Sequence, residues 1–276
     1  MTLFDSHAHL QEREFSGDVD GVIGRARAAG VGQIVVPAVD LETAKASIDL
    51  AERYEGTYAT AGYHPHEAGK LTDTALGEVE KLLDHPKVVA VGEVGLDYFR
   101  LHSTREAQLE ALAKQLTLAQ KYTMPVIIHC RDAWQDTATA LRAWAGRVAP
   151  GFAGRPLGVL HYFSGSLDQA LSYVDLGFLI SIHTSVTHPK AEQLREVATA
   201  LPLDCLVVET DSPYGAPQAH RGKRNEPAYV VEACRQIARL RGISETVVGE
   251  ATAASARRLF GIPAGEAAVS HTGAAT

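Results

Sequence analysis

The chain has 276 residues, 46% hydrophobic and 21% charged, which is enough apolar material for one large core or two ordinary ones. A net charge of −7 excludes a protein that coats nucleic acid or rests on an anionic membrane, but leaves room for one site that grips phosphate through bound cations. Three widely spaced cysteines, Cys130, Cys205 and Cys234, fit reduced thiols, and no apolar run approaches the ~18 residues of a membrane span, so a soluble cytoplasmic protein with no membrane partner and no obligate protein partner is expected.

Apolar runs and helical patterns then alternate along the chain. Strands are expected at 3–7, 33–38, 57–64, 88–95, 125–130, 157–162, 177–183 and 205–210. They read as near-continuous apolar runs, as do strands buried on both faces of a parallel sheet. Helical periodicity fills the seven gaps, most clearly at 105–122. An eighth helix is expected at 227–242, with Asn225 as its N-cap and Pro227 just inside. Eight such units predict an α/β fold, a single-domain TIM (β/α)8 barrel over residues 1–262. An open doubly wound sheet is the alternative, and the lack of a GxGxxG turn after the first strand counts against it. A further helix at 245–261 is expected to pack outside the barrel, and the small, polar segment 263–276 to be a disordered tail.

The polar residues fall where such barrels place their chemistry. His7 and His9 share one face at the end of the first strand, because residues i and i+2 of a strand point the same way. His64, Glu93, His129, His161 and Asp211 end the third, fourth, fifth, sixth and eighth strands. Each alone has a bland account as a boundary residue or turn cap. Seven ionisable groups on one carboxyl-terminal rim, with few basic partners, imply cations, since an unpaired buried charge is costly. Four imidazoles (His7, His9, His129, His161) and two carboxylates (Glu93, Asp211) supply donors for two divalent ions. The expected division gives His7, His9 and Asp211 to one ion and His129 and His161 to the other, with Glu93 bridging. Such a pair suits hydrolysis. The imidazole content favours Zn²⁺ or Mn²⁺ over Mg²⁺ without settling which ion is used.

The motifs DSHAHL, GYHPH, VGEVGLDY, IIHCRDA, HYFSG, VETDSPY and RGKRNEP, in that order, resemble those of the TatD-type metal-dependent deoxyribonucleases of the amidohydrolase-like superfamily. The resemblance covers about residues 2–261. It implies a TIM barrel that cuts DNA phosphodiester bonds with two divalent ions (Mg²⁺, Mn²⁺ or Zn²⁺), acts 3′→5′ on single strands, and serves DNA repair or degradation. It also implies metal roles for His7, His9, Glu93, His129, His161 and Asp211, and a substrate-side role for His64. After the seventh strand the family usually has a Ser-Gly pair, whereas this chain reads ISIHTSVTH, with His183 and Thr184 in that place. Near the C-terminus Ser255-Ala256 replaces the usual Asn-Ala.

In the mechanism expected from these residues, Asp211 both ligates and accepts the attacking water's proton, with Glu93 as the second catalytic carboxylate. His64 either hydrogen-bonds a phosphate oxygen or supports a ligand from behind. Ser164 and Gly165 lie in a turn that cradles phosphate or simply links strand to helix. Arg221 and Arg224, with Lys223, form a loop that contacts phosphate or is only solvated. Tyr98 stacks on a base or packs over the barrel mouth. Asp97 and Arg131 are expected to organise loops by ion pairing, and Glu209 to stand behind the ligands. The rival chemistry is that of a barrel amidohydrolase or esterase, such as a D-aminoacyl-tRNA deacylase. Many barrel amidohydrolases bridge their ions with a carboxylated lysine, and position 93 here is Glu.

Overall fold

Residues 2–263 are described by the structure, a computed structural model. The expected tail lies outside the described residues, except for Pro263. The eight apolar runs form β1 (Leu3–Asp5), β2 (Val31–Val36), β3 (Thr57–Ala61), β4 (Val88–Asp97), β5 (Val126–Arg131), β6 (Gly158–Leu160), β7 (Phe178–His183) and β8 (Leu206–Glu209). Neighbours pair in parallel, in chain order. The last strand returns to the first: the Ser6 amide donates to the Val208 carbonyl and the Asp211 amide to the His7 carbonyl. The buried Asp5 carboxylate reinforces that seam by accepting the Thr210 amide at 2.9 Å and its hydroxyl at 2.6 Å. The sheet is thereby the TIM barrel expected from the sequence.

The connecting helices are α1 (Val19–Ala28), α2 (Leu41–Arg53), α3 (Asp73–Leu82), α4 (Arg105–Tyr122), α5 (Trp134–Val148), α6 (Leu167–Asp175), α7 (Glu192–Ala200) and α8 (Val230–Arg241). Their starts follow capping chemistry. Asp40 with Thr43 and Ser166 with Gln169 form capping boxes on α2 and α6, and Thr104 caps α4. The start of α8 differs from expectation. It follows a 3₁₀ turn over Pro227–Tyr229, and the Asn225 side chain does not cap the helix: its Oδ1 accepts only the adjoining Glu226 amide at 3.0 Å, while its Nδ2 turns inward to the carbonyls of Thr210 and Tyr214.

The helix α9 (Glu245–Phe260) also departs from expectation. Its Ala253, Ala256, Leu259 and Phe260 join Phe4, Val35, Ala90, Ile127, Val159, Leu179 and Val207 in one buried cluster. Phe260 stacks on Phe4 with ring centres 6.0 Å apart. The helix therefore seals the amino-terminal end of the barrel, because its small residues let it approach the strand ends closely. Among the described residues no helix is long and apolar enough to cross a membrane.

Candidate metal centre

The inward faces of the strands change character along the barrel. Two residues beyond Ile127 on β5 comes His129, and two beyond Val159 comes His161. On β8 the ladder runs Val207, Glu209, Asp211. With a period of two, all of these aim at the barrel axis, and the later members reach the carboxyl-terminal mouth. There His7, His9, His64, Glu93, His161 and Asp211 are buried, and His129 is nearly so.

Their donor atoms converge. The Nε2 atoms of His7 and His9 lie 3.1 Å apart. Glu93 Oε2 is 3.2 Å from His7 Nε2, and Asp211 Oδ1 is 3.3 Å from His9 Nε2. The other oxygen of Glu93, Oε1, sits 2.9 Å from His129 Nδ1 and 3.5 Å from His64 Nε2. His161 lies between the two groups. Its ring stacks on His7 at 3.5 Å, and its Nε2 is 3.7 Å from Asp211 Oδ1 and 3.8 Å from Glu93 Oε1. The grouping of His7, His9 and Asp211 thus matches the division read from the sequence. Two further groups are His64, Glu93 and His129, and His7, His161 and Glu209, so His161 gathers with His7, against whose ring it stacks, and not with His129 as expected from the sequence.

These residues fit divalent cations. Donor atoms bound at about 2.1 Å to one ion lie roughly 3.0–3.4 Å from each other, and the distances here, 2.9–3.8 Å, bracket that spacing. Buried imidazole nitrogens and carboxylate oxygens turned to a common point also need positive charge between them. Burial pulls the His161 imidazolium down, but Glu209, Glu93 and Asp211 outweigh it and push the pKa up to about 10. Burial opposes the charge on Asp211, yet His9, His161 and His7 hold its carboxyl at about 2. Glu93, also desolvated, is held well below the usual range by His161, His64 and His7.

Hydrogen bonds behind the ring define which nitrogen faces the centre. His129 Nε2 lies 3.1 Å from Asp97 Oδ2, so that ring gives its N–H to the carboxylate and turns Nδ1 inward to Glu93, whereas His161 Nδ1 lies 2.9 Å from Glu209 Oε1 as an ion-pair contact without hydrogen-bond alignment. His64 is the opposite case. Its Nδ1 accepts the His66 amide at 3.1 Å, and burial together with His129 holds its pKa well below 6.5. The neutral ring therefore carries its proton on Nε2, the atom that faces Glu93 and His129.

Asp97 is the main residue the sequence reading misplaced. It pairs with no arginine; it accepts from His129, His66 at 2.9 Å, and the amides of Phe99 and Arg100. The signal was present, since Glu93 and Asp97 are four residues apart on one strand, as His64 and His66 are two apart.

The residue in the family's Ser-Gly place, His183, is buried and points away from the donors. Its Nε2 donates to the Thr210 carbonyl at 2.6 Å and its Nδ1 accepts the Ser185 amide at 2.9 Å. Tyr162 stacks on it with ring centres 3.9 Å apart. Asn225 Nδ2 donates to the same Thr210 carbonyl at 2.7 Å. Both bonds hold the peptide that leads into Asp211, whose φ of 53° lies in the left-handed region that aspartate, like asparagine, tolerates better than most side chains.

The outer rim differs from expectation in two places. Arg224 is committed elsewhere: it bonds Asp18 at 2.5 Å and Glu226 at 2.9 Å and lies over the Phe15 ring. Tyr98 donates its hydroxyl to Asp136 at 2.6 Å, and the Arg105 guanidinium covers its ring at 4.3 Å, so that face is closed to a base. Ser164 and Arg221 are exposed. Gly165 is closely packed; a Cβ there would meet the Phe163 ring at 2.7 Å.

Comparisons with known proteins agree with this geometry. The family model described as TatD related DNase matches residues 4–261. An uncharacterized metal-dependent hydrolase, YabD of Bacillus subtilis, is 38% identical over 260 residues, covering 94% of this chain and 99% of the relative. The 3′-5′ ssDNA/RNA exonuclease TatD of Klebsiella pneumoniae is 36% identical over 265 residues, covering 94% and 98%. The crystal structure of YjjV, a TatD homologue from Escherichia coli K12, has a TM-score of 0.87 at 35% identity and covers 95% of this chain and 98% of its own. A barrel of this order carrying these motifs is a metal-dependent hydrolase, and the chain belongs to the TatD-related DNase family.

Proposed function

We propose that this chain is a 3′→5′ exonuclease that removes nucleotides from single-stranded DNA in the cytoplasm, in DNA repair or degradation, using two divalent ions. The observation that carries this reading is Glu93, whose two oxygens face different imidazole groups, Oε2 toward His7 and Oε1 toward His129. A carboxylate so placed would bridge two ions, one held by His7, His9 and Asp211 and the other by His129, with His161 against both. When bound, such ions neutralise charge on a phosphodiester and lower the pKa of water. The name of the Klebsiella relative supports nucleic acid as substrate.

The chain's own residues then have distinct tasks. Asp211, ionised and held by the clamp on Thr210, receives the proton of the attacking water through its carboxylate. His64 donates its Nε2–H to a phosphate oxygen, which favours the substrate-side role over that of a ligand. The exposed Ser164 turn and Arg221 border the site on the β6 and β8 sides. Asp97 keeps His129 in the tautomer that turns Nδ1 inward, and the Glu209 carboxylate holds negative charge against His161.

The test is a metal screen on 5′-labelled and 3′-labelled single strands of DNA and RNA. Release of mononucleotides from the 3′ end, dependent on Mg²⁺, Mn²⁺ or Zn²⁺, is the expected result. Turnover confined to cyclic amides or to D-aminoacyl-tRNA would overturn the reading in favour of a barrel amidohydrolase or esterase.

A further inference from the structure

The inward face of β5 carries one more residue after its metal-centre histidine. Ile127 lies in the sealed floor and His129 in the donor cluster, and Arg131 stands two positions further toward the mouth. That step along a strand is about 7 Å. The acid best placed to neutralise Arg131 is Asp97, its register partner on β4. Asp97 is spent on His129, His66 and two backbone amides. Among the described residues Arg131 has no ion pair and no side-chain hydrogen bond; its guanidinium lies over the ring of Phe99, 3.9 Å from Cζ to the ring centre. Phe99 itself is 57% exposed, which for a phenylalanine leaves most of one face open to solvent.

Arg131 is set apart from the other arginines by its place on an inward strand face directly after a donor-cluster histidine, not by being unpaired. Arg25 and Arg224 are locked to Asp18 and Glu226, and Arg105 is laid over Tyr98. An uncompensated guanidinium, held in place by an exposed aromatic ring and lying one strand step above the donor cluster, is a built receptor for an anion attached to a planar group. Arg supplies a fork that matches phosphate, and aromatic rings stack on any base without reading sequence.

We infer that Arg131 and Phe99 form a nucleotide subsite, in which Arg131 binds the phosphate next to the scissile one and Phe99 stacks on the adjoining base. This rests on the nuclease reading and deepens it. It replaces the Tyr98 and Arg224 contacts, whose groups are engaged elsewhere, and it draws a polyanion to one side of the mouth of a protein whose net charge is −7.

The experiment compares kcat/KM for a single-stranded oligonucleotide with that for a dinucleotide, which has one phosphodiester and no neighbouring phosphate. In wild type the oligonucleotide should be the better substrate. Arg131→Ala should cut that advantage about tenfold or more, chiefly through KM, with Arg131→Lys restoring part of it. The slope of log affinity against log salt should fall by about 0.7, the value of one phosphate contact on a single strand. Phe99→Ala should lose the preference for a base over an abasic residue at the adjoining position, and Phe99→Trp should keep it. An unchanged oligonucleotide advantage and salt slope in Arg131→Ala, with wild type cutting DNA normally, would overturn the subsite alone. Failure of wild type to cut either substrate with any divalent ion would overturn the nuclease reading and the subsite with it.

Discussion

The eight strands present the same inward face at both ends of the barrel, yet the two ends are built from opposite chemistry. At the amino-terminal end Phe4, Val35, Ile127, Val159, Leu179 and Val207 meet α9 in a dry apolar floor. At the carboxyl-terminal end, two to four residues further on, His129, His161, Glu209 and Asp211 occupy the equivalent positions, with His7, His9 and Glu93 beside them. The floor contributes stability by removing apolar surface from water. The rim gathers buried ionisable groups that cost stability unless each has a partner or a cation. A single strand such as β5 therefore reads, in steps of two, as packing, then donor, then cation at the mouth.

That contrast can be broken from either end. The largest effect is expected at the rim. Glu93→Gln removes the charge of the proposed bridge and should lower nuclease activity about a thousandfold or more, roughly 4 kcal/mol of barrel-mouth transition-state stabilisation. Circular dichroism of that variant should remain that of wild type. The reverse change is Phe260→Ala in the floor. It should cost about 3–5 kcal/mol in urea denaturation, through lost contact with Phe4, while leaving metal affinity close to wild type.

His183 sharpens the comparison, since it is a buried histidine on the rim that donates to backbone rather than to the centre. Burial lowers its pKa from 6.5 to about 4. Between those values the unfolded chain binds a proton that the folded protein refuses. Stability should therefore fall as pH drops from about 6.5 to 4, by about 3 kcal/mol, and level off below. Denaturation midpoints at a series of pH values should show this, and His183→Gln should flatten that part of the slope. The smallest effect belongs to Arg224. Its pairs with Asp18 and Glu226 are partly exposed, so Arg224→Ala should cost about 1 kcal/mol or less and change nuclease activity little.

How far the sequence could be read follows the same division. The β5 and β8 ladders were legible because a period of two places Ile127 with His129 and Val207 with Asp211 on one face. The helix α4 begins and ends at the expected residues, 105 and 122, since Thr104 caps a long periodic run. The placement of α9 was not legible: an amphipathic pattern says that one face is buried, and says nothing of whether a strand end or an outer helix covers it. Nor was the commitment of Asp97 to His129, or of Arg224 to Asp18, because a side chain's choice among partners 32 and 206 residues away is made by the closed barrel. His64 shows the limit most clearly. Its motif places it at the site, but only the His66 amide on Nδ1 decides that its proton faces inward.

The most direct test of the central claim is anomalous diffraction from a crystal soaked in Mn²⁺. The account predicts two peaks about 3.5–4 Å apart with the Glu93 carboxylate between them, one against His7, His9 and Asp211 and the other against His129. A rim without peaks, or a single ion remote from Glu93, would contradict it.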